Sequence, residues 1–332
     1  MKYEIIINAK KLYLGIEILR MFFAFIILFF HCRNRKIYSP SFMTYLIEVV
    51  DVGIALFFII SFYFSYSSFT SKKINKIKER FKRLIIPYAI WPIIIYLQRA
   101  SFKIINIKKK LKFLIYQILI GNGIYCIFWF NFNLIFVLLF FTIIIFITRK
   151  YMTFLILFGL IIFLISSSNA YLQFWNRFKF DVKFSVGKID NTYKLGLIGF
   201  FISSKKIIEN KINKKFIIIF IFILVLILIN KINIIKLFPK YFFSILLIFI
   251  FTSIPIEKLE IRTYTFIKQI SSYTGGIYYI HPYINSLLKN YVESKSIPRN
   301  IFMSVMHYFL CYSICFIGNK LFKKNCLKYL FN

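Results

Sequence analysis

Acidic residues are the scarcest chemistry in this chain, with 11 Asp and Glu against 45 Lys and Arg among 332 residues. Polysaccharide polymerases and lipid-linked glycosyltransferases need carboxylates in a large extracytoplasmic loop. The longest stretch read as irregular, Asn169–Thr192, offers only Asp181 and Asp190. Cysteine is also sparse: five residues, an odd number with no CxxC pair, most of them in or beside apolar segments. They read as small buried hydrophobes rather than a disulfide framework. No HExxH, P-loop, GxSxG or DxD arrangement occurs, so metalloprotease, ATPase and α/β-hydrolase chemistry lack their residues, and no metal site is expected. No period of 20–50 residues repeats, which leaves one bundle domain over residues 1–332. The first apolar segment is too long for a cleavable signal peptide and lacks a small-residue cleavage site.

What is present is hydrocarbon. Sixty per cent of the residues are hydrophobic and 21% aromatic, with a mean hydropathy of +0.73. A soluble domain of this length cannot hide that much apolar surface, so the chain reads as an all-α, polytopic transmembrane helix bundle. The basic excess lies in short segments between apolar runs, which excludes a nucleic-acid-binding face. Apolar runs centre on Leu14–Cys32, Asp51–Ser68, Leu84–Leu97, Trp129–Thr148, Met152–Ser168, Lys194–Ser204, Phe216–Ile229, Tyr241–Ile256, Gly275–Leu288 and Ile301–Gly318, about ten spans, with Phe113–Ile120 as a further short or re-entrant helix. Placing both termini in the cytoplasm puts 24 Lys and Arg on the inner side against 19 on the outer, and puts the dense cluster KKINKIKERFKR inside. The expected location is the plasma membrane.

Three constellations carry possible chemistry. In the first span, Glu17, Arg20 and His31 interrupt a Leu/Ile/Phe stretch. A charge in hydrocarbon costs at least roughly 2.5–3.5 kcal/mol, so such residues normally face a bundle interior and carry function. Eleven positions bring Arg20 and His31 to the same helical face, about 16 Å apart along the axis, and Glu17 is placed to pair with Arg20. His31 can accept and donate a proton near neutral pH. The second constellation is the Lys72–Arg83 cluster. It is either a positive-inside anchor against lipid headgroups or a phosphate clamp, with Arg80 and Arg83 three residues apart and Lys82 between them. The third is SSYTGGIYYIHPYI, Ser271–Ile284. Here the Gly275–Gly276 pair permits close helix approach or a break, and His281 lies beside Tyr278 and Tyr279. His281 reads equally as a site residue and as a structural histidine; His307 reads as structural.

These residues together resemble the integral membrane acyltransferase-3 family, whose members O-acylate cell-surface carbohydrates. Glu17, Leu19, Arg20 and His31 match its opening motif. VGIALFFIISFYFSY is similar to its Gly-x-x-Leu-Phe-Phe-x-x-Ser-Gly pattern, with Phe62 in place of the last glycine. RFKRLIIPYAIW, FWFNFNLIF and ISSYTGGIYYIHPYI are similar to its later segments, in the right order along most of the chain.

The resemblance implies acyl transfer from cytoplasmic acyl-CoA, with acetyl-CoA the expected donor substrate and no permanently bound cofactor, to a carbohydrate or lipid-linked glycan acceptor. Arg80, Arg83 and Lys82 would hold the CoA phosphates. His31 would activate the acceptor hydroxyl or carry the acyl group, Arg20 would position His31 or stabilise charge in the transition state, and Glu17 would neutralise Arg20. His281 and Tyr278 are possible further site residues. The rival reading is a transporter or flippase of a lipid-linked saccharide that uses the same polar stripe as a pathway.

Overall fold

The computed structural model describes residues 2–32, 37–101, 128–148, 151, 153–159, 182–204, 239–253, 261–292, 296–323 and 326–331. Every regular element among them is helical, as the composition demands. The helices are α1 (Lys2–Cys32), α2 (Pro40–Thr70), α3 (Ile74–Ser101), α4 (Trp129–Ile147), α5 (Val182–Ser204), α6 (Pro239–Ser253), α7 (Ile261–Ser272), α8 (Thr274–Val292) and α9 (Ile297–Leu321), followed by a 3-10 turn at Cys326–Leu330. Among the described residues, four helical segments are long and apolar enough to cross a membrane: Leu14–Cys32 of α1, α2, α4 and α9; Phe243–Thr252 within α6 is a shorter apolar helix. The runs at Phe216–Ile229 and Phe113–Ile120 lie outside the described residues, as does most of Met152–Ser168.

Three boundaries differ from the sequence reading. The stretch Asn169–Thr192 is not irregular throughout, because α5 is already helical from Val182. The basic cluster is not a loop but the opening turns of α3. Its Lys, Arg, Glu and Ile residues are mostly good helix formers, and no glycine or proline interrupts it. The reversal between α2 and α3 is instead confined to Ser71–Lys73. There Lys72 adopts φ 49°, its N–H bonds to Phe69 O, and the Lys73 N–H bonds to Ser68 O. That is a Schellman closure with lysine where glycine is usual. The third difference is the interruption in the late motif, which falls at Tyr273 and not at the glycine pair. Around it the hydroxyls of Ser271, Ser272 and Thr274 donate to the carbonyls of Lys268, Gln269 and Ser271, drawing backbone acceptors away from the helical ladder. Gly276 serves close approach instead: a Cβ there would lie 2.5 Å from the Phe331 carbonyl oxygen and 2.8 Å from Cys315 Sγ.

The described residues form two compact units. One comprises Met1–Ile60, Ile202–Leu321 and Phe331–Asn332; the other comprises Ser61–Phe201 and Phe322–Leu330. In the first, α1 packs against α6, α7, α8 and α9, burying Leu14, Leu19, Phe23 and Leu28. Ser244 on α6 donates to the Val52 carbonyl of α2 at 2.9 Å. In the second, Phe62, Phe141 and Phe200 form an aromatic core between α2, α4 and α5. Helix α4 shows the polarity of a membrane span: Asn131 and Asn133 are buried, while Phe136, Leu139, Ile143 and Ile147 point outward.

Candidate active site

Both ends of the α1 polar face are met by α8. The Arg20 Nη1 donates to Glu17 Oε2 at 2.9 Å, and its Nη2 donates to Thr274 Oγ1 at 3.0 Å. Thr274 passes its own hydroxyl hydrogen to the Ser271 carbonyl at 2.8 Å, so its oxygen is oriented to accept from the guanidinium. At the other end, the Asn285 Nδ2 donates to the His31 backbone carbonyl at 3.3 Å. Both pairs are separated by the same 254 positions, so α1 and α8 run parallel and in register over this face. Parallel travel is what the first and ninth spans of the sequence reading would require.

Between these anchors the imidazoles gather. The rings of His31 and His281 lie 5.2 Å apart at 30°, and the Tyr278 ring is 5.9 Å from His281. His31 is exposed, whereas His281 is only 1% exposed. The Nδ1 of His281 is 3.3 Å from the Ile277 carbonyl oxygen. A carbonyl can only accept, so Nδ1 carries the hydrogen and Nε2 the lone pair. That Nε2 is buried, and among the described residues it has no hydrogen-bond partner. His307 joins the cluster from α9, within electrostatic reach of His281 and with its Nδ1 3.0 Å from Cys32 Sγ. All three histidines of the chain therefore converge. The sequence offers His307 no context, and the fold supplies it. The only hint in the sequence is that every histidine of a protein with three falls in an apolar stretch. Among the described residues no three His, Cys, Asp or Glu side chains are arranged to hold a metal ion.

The basic cluster belongs to the second unit, and its side chains differ in their surroundings. Arg80 is half-buried and donates through Nη2 to the Ser61 carbonyl of α2, while Lys82 and Arg83 are exposed. The sequence paired Arg80 with Arg83 as one fork, but the two guanidinium groups stand in different surroundings. The chain's last turn, unremarked in the sequence, docks beside them. The Trp91 Nε1 donates to the Leu330 carbonyl at 3.1 Å, and the Tyr329 hydroxyl donates to the Glu79 carboxylate. That hydrogen bond, with Lys328, Arg83 and Lys82 nearby, holds the Glu79 carboxyl below its usual pKa. Asn133 on α4 is a further residue the sequence left unmarked: neither end of its buried amide has a partner among the described residues.

Searches among curated proteins and among solved structures return no match to this chain. The acyltransferase-3 family model, described as an acyltransferase domain, matches residues 13–319, a span that takes in α1 from Tyr13 onward, the α8 motif and the basic cluster alike. With nearly its whole length covered by that match, the chain belongs to the acyltransferase-3 family.

Proposed function

We propose that this membrane acyltransferase is an O-acetyltransferase that moves the acetyl group of cytoplasmic acetyl-CoA to a hydroxyl of a cell-surface or lipid-linked carbohydrate, in the plasma membrane and with both termini cytoplasmic. The observation that supports the reading is the α1–α8 pairing, which presents His31 at the end of a polar face whose other end is tied by Arg20. In this reaction His31 takes the proton of the attacking hydroxyl. The acceptor oxygen bonds to the acyl carbon, the carbon–sulfur bond of the thioester breaks, and the proton is delivered to the departing CoA sulfur. Arg20 is about 16 Å along the helix from His31, too far to touch the reacting atoms. Its role is positioning: with Thr274 it fixes the register of α1 against α8, and Glu17 neutralises it inside the membrane. Lys82 and Arg83 grip the phosphates of the donor, and Arg80 braces α3 against α2 beside them.

The test is His31→Ala, assayed by incorporation of label from radiolabelled acetyl-CoA into glycan in isolated membranes. General-base assistance is worth about 10²- to 10⁴-fold, so incorporation per folded molecule should fall at least a hundredfold. A variant within tenfold of wild type removes His31 from the chemistry.

A further inference from the structure

His31 is exposed, but the imidazole tilted beside it is buried. His281 is buried on α8, with its Nδ1 hydrogen committed to the Ile277 carbonyl. Its lone pair at Nε2 is left without a partner among the described residues. A buried acceptor with no donor is costly, on the order of 1–3 kcal/mol, and is kept where something transient supplies the hydrogen. The titratable groups facing it are His31 from α1, His307 from α9 and Tyr278 from its own helix. His307 has Cys32 at its Nδ1, and Tyr278 meets the ring in a T-shaped contact, 5.9 Å between centroids. His31 is the group whose protonation state changes during transfer, and its ring is the nearer, at 5.2 Å.

We propose that His281 is the positioning partner of His31: its Nε2 receives a hydrogen bond from the imidazolium that His31 becomes on taking the acceptor's proton. This rests on His31 being the base. The proton moves from the acceptor oxygen to His31, is held there while the tetrahedral intermediate collapses, and leaves with the CoA sulfur; His281 supplies only a lone pair and is never itself protonated. The Ile277 carbonyl is what makes this work, because it excludes the tautomer that would present a hydrogen to His31. The arrangement does with two imidazoles what a buried carboxylate does elsewhere, without placing a second negative charge in the membrane.

The sign of the effect on pH follows. His31 must be neutral to act, so turnover rises with pH through its pKa, and a partner that favours the charged form raises that midpoint. His281→Phe keeps an aromatic ring in the space and removes the acceptor. It should lower turnover about tenfold, shift the acid limb of the pH–rate profile about one unit to lower pH, and leave the half-saturating acetyl-CoA concentration unchanged. His281→Gln, which offers a donor to Ile277 and an acceptor to His31, should keep the wild-type midpoint. His307→Phe should also leave the midpoint in place. Folding is checked for each by monodispersity in detergent. A folded His281→Phe with the wild-type midpoint overturns the proposal, and so does a midpoint shift in His307→Phe instead. If His281→Phe does not fold, a His281→Gln midpoint displaced by half a unit or more does the same. His31→Ala is run alongside. If it retains turnover, the base assignment fails; if it is dead while His281→Phe titrates like wild type, only the pairing fails.

Discussion

If the Arg20–Thr274 bond sets the register of α1 against α8, then breaking it from either side should share one component of the defect, and breaking it from both sides should cost less than the sum of the two. Arg20→Met keeps length and removes the charge; Thr274→Val keeps shape and removes the accepting oxygen. A hydrogen bond to a charged donor at 3.0 Å contributes roughly 1.5–3 kcal/mol. The Arg20 side chain is 26% exposed, so a discounted figure of about 1–2 kcal/mol is appropriate. Glu17 stays with Arg20 in the Thr274 variant, so that change removes this one bond and no charge. The assay is a double-mutant cycle read twice, on denaturation in mixed micelles and on acetyl transfer at saturating donor. The coupling should be about 1–2 kcal/mol in stability and five- to thirtyfold in transfer, since register governs where His31 stands relative to His281. Additive effects, with coupling below about 0.5 kcal/mol on both readouts, would refute the positioning role and leave Arg20 as a neutralised passenger beside Glu17.

The basic cluster should split by variant. Arg83→Ala, with or without Lys82→Ala, should raise the half-saturating acetyl-CoA concentration about tenfold by removing a charge-assisted phosphate contact, whereas Arg80→Ala should chiefly lower thermal stability; a donor-concentration series on purified, quantified protein separates the two. Glu79 has its folded pKa depressed below the ordinary 4.5, so the stability it contributes is present above that value and is lost as pH falls through the folded pKa. Tyr329→Phe should therefore melt below wild type near neutral pH, and the gap should close on acidification below pH 4.5.

The helices were legible because hydrocarbon leaves only one way to satisfy a backbone, so each described apolar run became helix. Their ends were less legible. α2 begins at Pro40, ahead of its apolar run, where the Phe42 N–H bonds to Ser39 Oγ and a proline occupies the first helical position. α3 begins in the middle of a charge cluster. Both starts are set by local polar geometry that the hydropathy of a window averages away. In the site, Glu17, Arg20 and His31 stood out because ionisable groups in an apolar helix are expensive, and spacing alone put them on one face. Their partners did not stand out. Thr274, Asn285 and His307 are ordinary residues until the fold brings them across some 250 or more positions of chain, and nothing local in a sequence encodes that pairing. The C-terminal turn was hidden for the same reason: nothing local marks Tyr329 and Lys328 until Glu79 is placed beside them.

Phe62 stands where the pattern that α2 resembles has a glycine. A large ring where the pattern has no side chain would overpack a helix junction by 1–3 kcal/mol or more if nothing moved. Here Phe62 is fully buried, and the space it takes lies over Gly196 of α5, where an added Cβ would sit 3.0 Å from the ring's edge. Phe141 and Phe200 close on the same ring at 5.2 and 5.9 Å, in tilted and edge-on contacts that add to its burial. At this crossing the small residue is Gly196 on α5 and the large ring is Phe62 on α2. Gly196 thereby permits the close approach that small residues allow between membrane helices. α2 runs unbroken through Phe62, and the Ser61 carbonyl one residue away takes the Arg80 hydrogen bond.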